Sequence, residues 1–169
     1  MPFKSSPFIA SILFISLCLC ACGNRDDAAA IRKLIARASQ MAEEHRIADL
    51  MQLTADGFSA SPGSHDAGSV RRILFIAFKH YGMFQIRYPR PTVEVEADAA
   101  TARTVIHFMI VSQDRPMPEL KELYENPQQW VEQASEKADL YQLKLALIKD
   151  EGDWRVKNAE LTPFKGLSF

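Results

Sequence analysis

The chain has 169 residues, with 20 basic and 21 acidic side chains and a formal net charge of −1. This length is typical of one domain with a real hydrophobic core. A near-neutral charge balance argues against a nucleic-acid-binding protein, because such proteins carry a clustered basic surplus. We therefore expect a single globular domain without a nucleic-acid partner.

The chain begins with a short apolar leader. Lys4 supplies a weak positive region, Phe8 to Leu19 is the apolar core, and Leu19-Cys20-Ala21-Cys22 ends the leader. The apolar core is too short for a membrane-spanning helix, which needs roughly 20 residues. The final four residues resemble the lipobox of bacterial lipoproteins, in which a signal peptidase cuts before a cysteine that carries lipid.

That resemblance implies three segments: a signal peptide over 1–21, the lipidated Cys22 with a short tether over 22–25, and one domain over 26–169. The alternative is an ordinary secretory signal cleaved nearby, or an uncleaved anchor. The mature chain would have 19 basic and 21 acidic residues, a formal charge of −2. It would be attached to a membrane through the lipid on Cys22, in the cell envelope and facing the periplasm.

Gly23 follows the predicted lipidated cysteine. Inner-membrane retention of enterobacterial lipoproteins commonly uses aspartate at this position. The resemblance therefore favours the outer membrane over the inner membrane in a host that has both.

The cysteines and histidines predict neither a metal site nor a cofactor. Cys18, Cys20 and Cys22 all lie in or at the end of the leader, so the domain over 26–169 has no thiol for a disulfide or a thiolate metal site. The four histidines show no spacing typical of metal ligands. We expect no metal and no cofactor.

Three helices are predicted first. Asp26 and Asp27 precede apolar residues at helical spacing through residues 28–45, and the same spacing continues for two turns from Ile47. The segment 61–64 reads as a turn. Asp66 or Ser69 would cap a third helix that ends at Gly82.

Strand patterning begins at Phe84. A first strand is interrupted by Pro89 and Pro91, which restrict it to an edge or a bulge. A second strand spans residues 101–111. Residues 113–138 contain three prolines and helical pieces, so we expect a helical insert there. Alternation from Tyr141, a turn at 150–153 and a last strand over 154–161 predict a closing antiparallel hairpin.

This order predicts an α+β fold: three N-terminal helices on a curved, mostly antiparallel sheet of about four strands, with the helical insert between strands 2 and 3. The segment from Ala48-Asp49-Leu50-Met51 to Ala55-Asp56-Gly57-Phe58 and the closing Gly152-Asp153-Trp154-Arg155-Val156 resemble the nuclear transport factor 2-like superfamily. That superfamily has a cone-shaped, cystatin-like fold, shared with ketosteroid isomerase and polyketide cyclases. Many of its lipid-anchored bacterial members have no assigned activity.

The resemblance does not carry over the isomerase mechanism. In those enzymes a carboxylate follows the second helix at about the place of Ser61-Pro62, and a tyrosine on the first helix stabilises the oxyanion. This sequence has neither residue there. The absence favours a protein that is not an enzyme.

The candidate site residues are a histidine and several aromatic side chains. His107, mid-strand, is a candidate acid or base with Tyr88 or Tyr141, although a hydrogen-bonded packing role is the simpler interpretation. Phe58, Tyr81 and Phe108 are candidate ligand-binding residues of an apolar cavity, or plain core.

Two functions follow as alternatives. The first is a lipid-anchored, non-enzymatic domain that binds a small apolar ligand or another envelope protein. The second is a periplasmic enzyme of the isomerase or dehydratase kind that uses a cone-lining His/Tyr acid–base pair. A homodimer through the sheet face is a further expectation, and it predicts an apolar exposed face.

Overall fold

The computed structural model describes residues 23–112, 125–126, 129 and 138–163. These residues form three helices and six strands. The helices are α1 (Gly23–Glu43), α2 (Ile47–Met51) and α3 (Ala67–Tyr81). The strands are β1 (Thr54–Ser61), β2 (Phe84–Arg87), β3 (Thr92–Val95), β4 (Thr101–Ser112), β5 (Ala138–Asp150) and β6 (Asp153–Pro163).

The three helices are confirmed, and their ends follow local chemistry. The Asp66 side chain accepts a hydrogen bond from the Ser69 amide at 2.8 Å and so caps α3. At the other end Gly82 has a φ of 62° and donates its amide to the Phe78 carbonyl. Helix α1 begins at Gly23, so residues 23–25 are helical where a short tether was expected.

The sheet has the order β1-β6-β5-β4-β2, and β3 also pairs with β4. The long strands β4, β5 and β6 are antiparallel, as expected, and β5 and β6 form the predicted hairpin. The expected number of about four strands was too low. The two additional strands come from β1, which pairs in parallel with β6, and from the division of the first predicted strand into β2 and β3.

Both differences have a physical cause in the sequence. Gly57 has a φ of 67°, and the β1 register shifts between Thr54 and Ser59, so the buried Ala55 and Phe58 do not alternate. Between Arg87 and Thr92 the chain contains two prolines and leaves the ladder. β2 and β3 therefore pair with different parts of β4.

The main core lies between α1 and one side of the sheet, which we call the inner face; the opposite side is the outer face. Ile31 of α1 and Leu147 of β5 are fully buried there. The same cluster contains Ile35, Phe58, Ala102, Ile106, Leu145, Trp154 and Val156. A second, smaller cluster joins Ala42, Phe78 and Phe84 at the C-terminal ends of α1 and α3. The helices are thus gathered on the inner face.

Several predicted segments fall outside the described residues. These are the leader over 1–21, Cys22, and residues 113–137 of the insert except 125, 126 and 129. In the part of the chain that is described, no helix has the length and apolar character needed to cross a membrane.

Candidate functional site

Three polar side chains meet on the inner face at the C-terminal end of α3, and we call them the tyrosine cluster: Tyr81, Asp139 and Tyr141. The Tyr81 hydroxyl lies 2.7 Å from Oδ2 of Asp139 and 2.8 Å from the Tyr141 hydroxyl. Asp139 and Tyr141 are two residues apart on β5, so strand alternation places both side chains on the same face. The C-terminal residue of α3 brings the third group.

The hydrogen bonds in this cluster have a definite direction. An ionised carboxylate can only accept, so Tyr81 donates its single hydroxyl proton to Asp139. The oxygen of Tyr81 then accepts from the Tyr141 hydroxyl. As a result the proton of Tyr141 is used inside the cluster, while its oxygen keeps a lone pair for another donor.

The environment keeps Tyr81 neutral. Burial of the phenol raises the pKa of Tyr81 well above its usual value of 10.0, and the hydrogen bonds to Tyr141 and Asp139 raise that pKa further. The neutral hydroxyl can therefore serve as a hydrogen-bond donor and acceptor at every physiological pH. It is not a base under those conditions.

Aromatic rings surround the cluster. Phe108 of β4 is the cross-strand partner of Tyr141, and the two rings stack with centroids 5.6 Å apart at 27°. Tyr81 meets Phe84 edge-on, with centroids 5.9 Å apart. Phe108 and Tyr141 are only partly buried. The cluster therefore combines apolar ring faces with polar tips, which is typical of small-molecule sites.

The tyrosine cluster and the ring beside it bring together three of the residues singled out in the sequence, Tyr81, Phe108 and Tyr141. Asp139 was missed, although its position two residues before Tyr141 on an alternating strand was a usable signal. Phe58 lies elsewhere, buried in the main core, and Tyr88 packs against that same core. Neither belongs to the tyrosine cluster.

His107 lies on the outer face and is exposed. Its Nε2 atom is 2.8 Å from Nε2 of Gln142, the cross-strand partner on β5. The neighbouring pair, Phe108 and Tyr141, points to the inner face. His107 and Tyr141 therefore project from opposite faces of the sheet, although both side chains line one hollow at its edge.

A hollow of about 340 Å³ lies beside His107, where the chain leaves the ladder after β2. Arg87, His107, Met109 and Leu140 contribute to it from the outer face, as their register and alternation require. Its other lining residues are Tyr88, Pro89, Phe108 and Tyr141. This is an open depression at the edge of the sheet.

The described outer face carries both polar and apolar side chains. Lys144 and Glu160 form an ion pair at 2.9 Å, and Arg103 lies 3.6 Å from Glu96. Val105 is the large apolar side chain exposed among them. A homodimer through this face stays a prediction.

A buried carboxylate, Asp27, joins α1 to the closing hairpin. Its Oδ1 atom accepts from Lys149 Nζ at 2.7 Å and from Trp154 Nε1 at 3.0 Å. The hydrogen bond from Lys149 lowers the pKa of Asp27 most; it and the bond from Trp154 outweigh the opposing effect of burial. We interpret this group as a structural anchor, because its acceptor oxygen is used by two side chains of the protein itself.

No metal site is formed by the residues that the structure describes. Among them, no three His, Cys, Asp or Glu side chains converge in a way that would hold an ion.

Comparison with known proteins finds solved structures that resemble this one but no similar sequence. No family model matches the sequence, and no curated protein sequence matches it. A nuclear transport factor 2-like protein with a cystatin-like fold from Novosphingobium aromaticivorans is 15% identical, with a TM-score of 0.60, covering 99% of this chain and 95% of that one.

Two further similar structures are named as candidate dehydratases. A candidate scytalone dehydratase from Novosphingobium aromaticivorans has a TM-score of 0.63 at 13% identity, covering 84% of this chain and 87% of that one. A candidate dehydratase of the nuclear transport factor 2-like family from Streptomyces avermitilis has a TM-score of 0.60 at 16% identity, covering 83% and 98%. At such identities the likeness extends to the fold alone. The chain therefore has the nuclear transport factor 2-like, cystatin-like α+β fold.

Proposed function

We propose that this protein is a lipid-anchored component of the bacterial cell envelope whose domain binds a small, apolar, hydroxyl-bearing ligand at the tyrosine cluster. The observation that carries the proposal is the hydrogen-bonded chain from Tyr141 through Tyr81 to Asp139, set among aromatic rings. The lipobox-like Leu19-Cys20-Ala21-Cys22 supports the location.

The direction of the hydrogen bonds selects the ligand class. Because Tyr141 donates to Tyr81, its oxygen is left as an acceptor, and a ligand hydroxyl is the complementary donor. Phe108 and the ring of Tyr141 offer an apolar surface for the rest of the ligand. An anionic ligand fits less well, because the Asp139 carboxylate would repel it.

Titration with 2-naphthol, two fused aromatic rings with one hydroxyl, tests this site through the fluorescence of the probe. Changing Tyr141 to Phe should weaken binding by about two- to tenfold, the effect of one neutral hydrogen bond. Ser64→Ala, which removes an exposed hydroxyl from the loop after β1, is the control and should leave the affinity unchanged. Equal affinities of the parent and Tyr141→Phe would refute the assignment of the ligand hydroxyl to Tyr141.

The natural ligand is best sought by native mass spectrometry of the protein purified from its own envelope. The parent should carry a small-molecule adduct that Tyr141→Phe carries less often. An adduct retained equally by both forms would place the ligand elsewhere on the domain.

A second candidate function is dehydration of a hydroxylated substrate. It is favoured by the carboxylate at the end of the chain of hydroxyls and by the two similar structures named as candidate dehydratases. Asp139 would take a proton from carbon, the carbon–oxygen bond would break, and Tyr141 would give its proton to the departing hydroxyl, which leaves as water. Tyr81 would then return the proton from Asp139 to Tyr141.

One variant separates the two functions. If the protein is a dehydratase, the co-purifying compound should lose one water when incubated with the parent and should persist with Asp139→Asn. If the protein only binds, the compound should persist unchanged with both.

A further inference from the structure

Helix α3 exposes large apolar side chains to solvent. Phe75 is 64% exposed and Ile76 is 68% exposed, and Met83, two residues beyond the helix, is 66% exposed. Exposed apolar side chains scattered singly are ordinary, but a group on one element marks an interaction surface. These residues are not used by the core or by the tyrosine cluster.

The charges of α3 lie on the same side as its exposed apolar pair. Arg72, Phe75, Ile76 and Lys79 have the spacing i, i+3, i+4 and i+7, which places them along one helix face. Arg71 adjoins this face. The helix contains no acidic residue at all over Ala67–Tyr81. We call Arg71, Arg72, Phe75, Ile76 and Lys79 the α3 stripe.

Few acids lie near the α3 stripe. A groove of about 630 Å³ runs between α2 and α3, and Asp49 is the carboxylate among its lining residues. Asp49 pairs with Arg46 at 2.7 Å, and the same Arg46 lies 3.2 Å from Glu44. Asp66, the N-cap of α3, is a further acid that interacts electrostatically with Arg72. The three cations of the α3 stripe therefore outnumber Asp66 and the one carboxylate that Arg46 leaves in excess.

We infer that the α3 stripe docks on the surface of an anionic phospholipid bilayer. Phe75 and Ile76 enter the boundary between headgroups and acyl chains, while Arg71, Arg72 and Lys79 contact phosphates. This arrangement of apolar anchors flanked by cations is typical of helices that lie in the membrane interface.

Charge selects the bilayer over a second copy of the chain. A symmetric dimer through this face would bring the same cations towards one another, because both copies present the same patch. Lipid phosphates neutralise those cations instead. The inference does not require lipid on Cys22. It is compatible with that anchor, because α1 begins at Gly23 and lies in the same helical layer as α3.

The test uses the full chain as its host processes it, purified from membranes and reconstituted into vesicles with or without phosphatidylglycerol. Ile76→Cys is labelled with an environment-sensitive nitrobenzoxadiazole dye, and Val105→Cys on the outer face is the matched control. The native cysteines are Cys18, Cys20 and Cys22. Dye found on a Cys22 peptide would show that Cys22 carries no lipid, which tests the anchor separately from docking.

The dye at position 76 should shift to the blue and be quenched by brominated acyl chains in vesicles that contain phosphatidylglycerol. The dye at position 105 should do neither. A water-like signal at position 76 in those vesicles would overturn the inference. So would a blue shift that needs no vesicles and grows with protein concentration, because that result would identify a second copy as the occupant.

The role of charge is tested by Arg71→Gln and Arg72→Gln in the labelled chain. Each change should lower the ratio of docked to undocked protein by about fivefold at low salt. Arg90→Gln, an exposed arginine outside α3, is the control and should have no effect. Equal losses from all three variants would contradict docking through α3.

Discussion

The hydroxyl oxygens of Tyr81 and Tyr141 lie 2.8 Å apart although the residues are 60 positions apart in the chain. This contact ties the C-terminal end of α3 to β5. Asp139 adds a second bond to the same hydroxyl, at 2.7 Å. One phenol thus connects the helical layer to the sheet and forms the centre of the proposed site.

Replacing Tyr81 by Phe should lower the free energy of unfolding by about 1–2 kcal/mol. The variant loses two hydrogen bonds, but Asp139 is exposed and can bind water instead. Urea denaturation measures the change, and Tyr88→Phe is the control with an expected change near zero. Equal midpoints for Tyr81→Phe and the parent would show that the cluster adds no stability.

The same tyrosine predicts a loss of stability in alkali. Its pKa is raised in the folded protein above the ordinary 10.0, so above about pH 10 the unfolded chain releases this proton first. The contribution of Tyr81 is complete below pH 10 and is lost as pH rises towards the folded pKa. Urea midpoints above pH 10 should fall more steeply for the parent than for Tyr81→Phe. If the urea midpoints of the two proteins fell equally with pH, that result would contradict the raised pKa of Tyr81.

Asp27→Asn should destabilise the protein by about 1–2 kcal/mol at neutral pH, because the charge-assisted bond from Lys149 is lost while the bond from Trp154 can be kept. The exposed neighbour Asp26→Asn is the control and should have little effect. Since the folded pKa of Asp27 is depressed below 3.8, its contribution is present above that pH and is lost as pH falls. The difference in the free energy of unfolding between the parent and Asp27→Asn should therefore become smaller below about pH 4. A difference that does not change with pH would contradict the ion pair.

Leu147→Ala should cost about 2–5 kcal/mol, the range for creating a cavity at a buried leucine. Leu147 is 1% exposed in the main core, whereas Leu161 on β6 is 41% exposed. Leu161→Ala is therefore the matched control, with a much smaller expected loss. Similar losses for both variants in chemical denaturation would contradict the burial of Leu147 in the main core.

Cys22→Ser should abolish incorporation of radiolabelled fatty acid into the protein expressed in a bacterial host. Cys20→Ser is the control and should leave labelling intact, because Leu19, a bulky residue, precedes Cys20 where Ala21 precedes Cys22. Labelling retained by Cys22→Ser would refute the lipid anchor. It would leave the prediction for the ligand site untouched.

Local chemistry was sufficient to predict most of the elements. Helix α3 begins after Asp66 and ends before Gly82, as expected, because caps act within one turn. The 150–153 turn and the alternation of β5 and β6 predicted the closing hairpin for the same reason. The strand that was not predicted from the sequence is one whose formation depends on a distant partner. β1 is held by its parallel pairing with β6, and its bulge at Gly57 removes the alternation.

The candidate site divides in the same way. Tyr81, Phe108 and Tyr141 were recognisable as aromatic residues on predicted elements, and Asp139 shares a strand face with Tyr141. Only the tertiary structure decided that Tyr81 meets Asp139 and Tyr141, and that His107 points away from them. The sequence by itself determined the helices and the hairpin, because these depend on neighbours a few residues apart, and it predicts the lipid anchor. The pairing of α3 with β5 depends on packing across the core, which no local pattern specifies.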